Sequence, residues 1–193
     1  EVANSCRFNS GDSAYLQNPA SGSGSTAERR TLTWSIWFKR GNTGSNQFLA
    51  AGRNNASYYI GIILTSDDQL RVYQRADATT NMDLKTNRVF RDCSAWYHDL
   101  TTNRVFRDVS AWYNIIVAVD TTQGTEANRI KIYVNGTQES SFATSTYPNQ
   151  NLDTYFGMTS GTDGYPTYVG SDTSNHFDGY MAEVVEVGGS QLA

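Results

Sequence analysis

The sequence predicts an all-β chain folded as a two-sheet antiparallel β-sandwich. Three observations predict it. Apolar residues recur with period two, and no window longer than about ten residues holds a 3.6-residue apolar period. The composition, with 12 Tyr, 8 Phe, 4 Trp and 16 Gly against only 3 Pro, suits short strands joined by tight turns. Turn chemistry recurs about every 8–12 residues, the spacing of sandwiches and barrels. Twisted strands with one apolar face must bury it against a second sheet. At 193 residues, the chain 1–193 reads as a single domain with no helix.

Residues 5–16 give a first strand and turn, with Phe8, Tyr15 and Leu16 as apolar anchors, and 18–30 (NPASGSGSTAERR) read as a Gly/Ser-rich loop. The cleanest strand is 31–40 (TLTWSIWFKR), which places Leu32, Trp34, Ile36 and Phe38 on one face. Trp37 falls among the polar residues of the other face, either packed under a loop or offered as a sugar-stacking platform. A turn over 41–46 leads to a short strand at 47–51. Residues 57–65 and 69–75 form a hairpin in which Leu70 and Val72 point one way and Arg71, Tyr73 and Arg75 the other. Further on, 113–120 and 129–135 alternate, with Ile115, Val117, Val119, Ile130, Ile132 and Val134 inward. Asn135-Gly136 is a type I′ hairpin signal, because both central residues need positive φ. A strand over 137–142, a short segment at 155–158, a brief strand at 167–170 and a closing strand at 177–187 complete the set.

Residues 84–98 (LKTNRVFRDCSAWYH) recur 16 residues later as 100–114 (LTTNRVFRDVSAWYN), identical at 12 of 15 positions. One such pair in an otherwise unrepetitive chain is not a solenoid. It reads as a tandem duplication, 84–99 and 100–114, or as two equivalent binding loops. Only the second copy runs directly into an apolar strand at 115–119. The first copy is therefore expected to be an inserted flap.

The formal net charge is -4 with dispersed Lys and Arg, which argues against nucleic acid as a partner. No apolar run approaches the roughly 20 residues of a membrane-spanning helix, so no membrane insertion is expected. Glu1 opens the sequence without an initiator Met or a signal-peptide pattern, as expected of a processed chain or a fragment. Cys6 and Cys93 are too few for a metal cluster or a disulfide framework. Spacing leaves open whether they pair.

The run 112–120 (WYNIIVAVD) followed by 129–136 (RIKIYVNG) resembles the core signature of laminin G-like, or concanavalin A-like, jelly-roll domains. There an aromatic-rich strand opens at a Trp, closes at an Asp, and precedes a hairpin ending in Tyr-Val-Asp/Asn-Gly. The strand 31–40 resembles the family's early strand and 177–187 its closing strand. The likeness is closer to a subgroup of tailed bacteriophages, with counterparts for 5–20 (SCRFNSGDSAYLQNPA), 33–42 (TWSIWFKRGN), 101–123 (TTNRVFRDVSAWYNIIVAVDTTQ) and 177–184 (FDGYMAEV) in that order. The family has one copy of the NRVFRD…SAWY stretch, and it continues past the closing strand. The resemblance implies a jelly roll on the surface of a phage particle, outside the cell. It would be a multi-copy or homo-oligomeric tail fibre or appendage that meets host glycans or packs against other virion proteins.

Retaining glycosidases of this fold need two carboxylates about 5–5.5 Å apart, hence same-face acids on a strand. On the closing strand Glu183 shares the face of Met181 and Val185, and Glu186 points away, so no pair forms and no enzyme is expected. A cellular adhesion lectin and a glycoside hydrolase are the alternatives. Neither His98 nor His176 belongs to a nucleophilic triad. No cofactor is required, although the family resemblance admits calcium, for which Asp67, Asp68, Asp163 and Asp172 offer hard oxygen ligands in loops. For a glycan, which needs aromatic faces flanked by hydrogen-bonding side chains, the candidates are Trp37, Tyr58, Asp163, Tyr165, Asp172 and Asn175.

Overall fold

The computed structural model describes residues 4–18, 25–77, 79–89, 111–156 and 165–192. Two antiparallel sheets face each other. The six-stranded sheet has the order β1 (Cys6–Phe8), β13 (Gly179–Gly188), β3 (Thr31–Arg40), β8 (Tyr113–Asp120), β9 (Ile130–Val134) and β10 (Thr137–Gln138). The seven-stranded sheet runs β11 (Phe142–Thr146), β7 (Thr79–Val89), β6 (Gln69–Ala76), β5 (Tyr58–Leu64), β4 (Gln47–Arg53), β12 (Thr167–Val169) and β2 (Leu16–Asn18).

Period-two alternation sets which residues meet between the sheets. Leu32, Ile36 and Phe38 are fully enclosed, and Trp34, Ile115, Val117, Val119, Ile130, Ile132 and Val134 nearly so. Ile60, Ile62, Leu64, Leu70, Val72, Met82 and Leu84 answer them from the other sheet. At roughly 1.5–3 kcal/mol for each large apolar side chain removed from water, this layer dominates the stability. The Asn135-Gly136 turn has φ of 50° and 75°, as the type I′ reading requires, and the Asn135 side chain accepts a hydrogen bond from the Asn114 amide at 2.8 Å.

Four elements differ from the sequence expectation. Thr26–Arg30, inside the predicted loop, forms a short helix α1. Its capping box is complete, with the Ser25 hydroxyl accepting from the Glu28 amide and the Glu28 carboxylate from the Ser25 amide. The predicted strand over 137–142 is divided, because β10 ends one sheet and β11 pairs with β7 in the other. The closing strand contains a bulge between Ala182 and Val185, where Glu183 adopts φ 48°. Met181 therefore faces Phe38 in the core, whereas Val185 lies opposite Ser35 on the outer face, and the expected common face of Met181, Glu183 and Val185 does not exist.

The fourth difference concerns the duplication. The head of the first copy is not a flap: Leu84 and Thr86 are fully buried in β7, and Leu84 pairs with Val72 of β6. Arg88, also in the first copy, forms a buried ion pair with Glu139. The tail of the second copy enters β8 through Tyr113, which packs on Phe38 with ring centroids 5.5 Å apart. Trp112 is half-buried. The remainder of both copies, 90–110, with Cys93 and His98, lies outside the described residues. Cys6 is exposed with a free thiol.

Candidate functional site

The outer face of the seven-stranded sheet carries an apolar and aromatic cluster separate from the core. Phe48, Ala51, Ile63 and Tyr168 are buried there, and Tyr59 and Tyr73 pack against them half-exposed. The register aligns three rows. One crosses five strands as Tyr168, Ala51, Gly61, Tyr73 and Asp83. A second reads Phe48, Ile63, Arg71 and Lys85, and a third Arg53, Tyr59, Arg75 and Thr80. Neighbours across a row share a face, so the aromatic and basic residues converge. Gly61 is required: a Cβ there would stand 2.5 Å from the Phe48 ring, which lies over the glycine.

Charge on this platform is organised by ion pairs. The Arg71 guanidinium donates to both oxygens of Asp83, each at 2.7 Å, and lies 4.2 Å from the Tyr73 ring centroid. This fork, fixed by a carboxylate and an aromatic face, holds the Arg71 proton more firmly than usual, chiefly through the hydrogen bond to Asp83. Tyr59 and Tyr73 stand 5.6 Å apart at 46°, and the Tyr73 hydroxyl meets Thr80 Oγ1 at 3.2 Å. Burial, and then the neighbouring Tyr73, raise the Tyr59 phenol above its ordinary value, so it remains a donor. Arg75 donates Nε to the Asp77 carbonyl at 2.7 Å and has no carboxylate partner among the described residues. The platform thus presents tyrosine rings and one guanidinium that lacks a carboxylate partner among the described residues.

The residues singled out in the sequence go to three places. Asp172 and Asn175 come together at the platform's border. Asp172 is buried, pairs with Arg53 at 2.8 Å, and accepts from the Ser174 and Asn175 amides at 3.0 and 2.7 Å. The Asn175 side-chain amide donates to the same carboxylate at 3.2 Å. Tyr58 and Tyr165 belong instead to the end of the sandwich. Tyr155 stacks on Tyr165 with centroids 4.6 Å apart at 4°, and Tyr58 meets Tyr155 edge-on at 6.5 Å. Gln74 anchors this stack by donating to the Asp153 carbonyl and accepting from the Tyr155 amide. Burial pushes the Tyr155 phenol up to about 12. Trp37 lies half-buried on the outer face of the other sheet, between Ala182 and Asn114. Asp163 lies outside the described residues.

Among the described residues, the aspartates considered for calcium, Asp67, Asp68 and Asp172, do not assemble a ligand set. Asp67 pairs with Lys85 at 3.1 Å, and Asp68 is buried against Arg40 at 2.8 Å while accepting from the Gly44 amide. Asp172 is engaged as described, and among the described residues no three His, Cys, Asp or Glu cluster in a way that suits a metal. His176 stacks on Tyr15 with centroids 6.3 Å apart, its Nδ1 buried. Sequence reading passed over Tyr59, Gly61 and Asp83. A glycine inside a strand signals a close approach, and here the Phe48 ring makes it.

Two facing antiparallel sheets of this order define a jelly-roll β-sandwich. Residues 9–185 match the family model of the concanavalin A-like lectin/glucanases superfamily, and the chain belongs to that family. A search of curated proteins returns no match. Among solved structures, domain 4 of AbnA, an extracellular GH43 arabinanase from Geobacillus stearothermophilus in complex with arabinotriose, is similar over 92% of this chain and 68% of its own, at 12% identity and TM-score 0.54. The mouse laminin α1 LG4-5 pair is similar over 96% of this chain, with 13% identity and TM-score 0.57, and this chain spans 41% of it. A Ruminococcus gnavus sialidase CBM40 bound to α2,3-sialyllactose covers all of this chain and is itself covered over 95%, with 11% identity and TM-score 0.50. Identities this low establish the shared fold.

Proposed function

We propose that this chain is a non-enzymatic glycan-binding module of a bacteriophage particle, displayed in several copies and engaging sugars on the outer face of its seven-stranded sheet. The observation that carries the reading is the convergence of the half-exposed Tyr59 and Tyr73, seated on the buried Tyr168, with the Arg71–Asp83 fork on one face. A tyrosine ring offers an apolar surface to sugar C–H groups, and a fixed guanidinium–carboxylate pair orients hydroxyls. Absence of catalysis on this face is supported by the state of its carboxylates. Asp83 and Asp172 are each tied to an arginine, which leaves neither free to act as acid or nucleophile. The ordered phage-type motifs support the virion setting, and the glycan complexes of AbnA domain 4 and the sialidase CBM40 support the ligand class. Several copies would raise avidity without new contacts.

A glycan array on the purified chain, followed by calorimetry with the strongest hit, tests the proposal. Saturable binding that falls at least tenfold in Tyr73→Ala, unchanged by a chelator, is expected. No binding at millimolar sugar, or hydrolysis of the bound glycan, overturns it.

A further inference from the structure

The row through Tyr73 continues beyond Tyr168 to the outermost strand of the sheet. Tyr168 of β12 pairs with Gln17 of β2, so the row crosses six strands from Gln17 to Asp83. Tyr15 lies two residues before Gln17 and therefore on the same face. Its ring confirms the side by meeting Tyr168 edge-on, with centroids 5.7 Å apart. Tyr15 is 44% exposed and also stacks on His176. Held between two rings, it has little rotamer freedom left to lose on binding.

This end of the face repeats the chemistry of the other. Gln17 is exposed, and its side-chain amide has no hydrogen-bond partner among the described residues. An open aromatic face beside an amide that both donates and accepts suits a sugar ring, as Tyr73 beside Arg71 does. Strands β12, β4 and β5 separate β2 from β6, which puts the two ends about 19 Å apart at the usual strand spacing of roughly 4.8 Å. A monosaccharide or a disaccharide is too short to reach both. Between them the row holds Ala51 and Gly61, with the Phe48 ring over the glycine, so the stretch that joins the ends is uncharged.

We propose that Tyr15 and Gln17 form a second sugar subsite, and that the face takes an extended oligosaccharide laid across the strands from Tyr73 to Tyr15. The inference rests on the platform reading and adds to it the length of chain recognised. A chain seated at both ends gains its second contact within one complex, so affinity rises with length until the far subsite is filled. A ligand confined to the Tyr59–Tyr73 end shows no such rise.

The test is calorimetry with a length series of the sugar chain that binds most strongly on the array, from monosaccharide to hexasaccharide. Affinity is expected to rise at least tenfold between the disaccharide and the pentasaccharide. Tyr15→Ala and Gln17→Ala, both at exposed positions, are expected to reduce that rise and to leave disaccharide affinity within twofold. Tyr73→Ala is expected to weaken every length. Affinity that is flat with length, or a rise that survives both Tyr15→Ala and Gln17→Ala, overturns the second subsite. If Tyr73→Ala still weakens binding in that case, the platform reading stands without it. Binding of no length overturns both.

Discussion

The platform and the sandwich end are built from the same residue types and use them in opposite ways. At the sandwich end, Tyr155 and Tyr165 lie parallel at 4.6 Å, and Tyr165 is 8% exposed. Their ring faces are spent on each other. On the platform, Tyr59 and Tyr73 meet at 46° and keep part of their surface open. Arginine–aspartate pairs follow the same division. Asp172 beside Arg53 spends its carboxylate on the backbone of its own turn, whereas Arg71 and Asp83 form a fork on the sheet surface. What separates packing from recognition is which face of the side chain the fold leaves unused.

Substitutions can break this contrast in either direction. The largest stability effect is expected at the sandwich end. Tyr155→Ala should cost about 3 kcal/mol in denaturant unfolding and leave glycan affinity within twofold. Tyr73→Ala should do the reverse, losing at least tenfold in affinity for under about 1 kcal/mol of stability, because it removes a half-exposed ring. Equal effects of the two on binding would erase the distinction. Asp172→Ala comes next, at about 2 kcal/mol, since it strands the guanidinium of Arg53 and two turn amides.

Alkaline stability sharpens the comparison. The folded state holds the Tyr155 proton up to about 12, above the ordinary tyrosine value near 10. Between these values the native chain binds more protons than the unfolded one, so stability falls as pH rises through that window. Tyr155→Phe should flatten that decline in a pH series of unfolding midpoints. An unchanged slope would remove Tyr155 as its source.

The smallest effect is expected from deleting residues 84–99. Leu100, Thr102 and Arg104 would then succeed Leu84, Thr86 and Arg88 in β7, because the copies match at those positions. Thr101 would replace Lys85 and lose the pair to Asp67, an exposed contact worth under about 1 kcal/mol. Cooperative unfolding should persist, and its loss would show that the duplicated copy is integral to the domain.

Much of the fold could be read directly because burial follows a local rule. Trp34, Ile36, Ile115, Val117, Ile130 and Ile132 lie inward as their alternation requires. The same rule turned Arg71, Tyr73 and Arg75 outward. It could not bring Tyr168 into the row of Tyr73, since that alignment depends on pairings far apart in sequence and on a register shift between Phe48 and Ala50. Alternation also failed at Glu183, where one bulge exchanges the faces of the strand beyond it. Helix α1 carried a readable signal in Ser25 and Glu28, outweighed by the Gly/Ser-rich composition before it. Tyr58 and Tyr165 read as glycan candidates because sequence does not reveal that each has a ring partner. In the duplication, continuity with β8 pointed to the second copy, but the fold draws β7 from the first.

The most direct test of the central claim maps amide and side-chain NMR shifts on titration with the best glycan from the array. Perturbations should centre on Tyr59, Tyr73, Arg71 and Tyr168, with Tyr58, Tyr165 and Trp37 unmoved. A map centred on the Tyr155–Tyr165 stack, or on Trp37 across the sandwich, would contradict the assignment of the platform as the binding face.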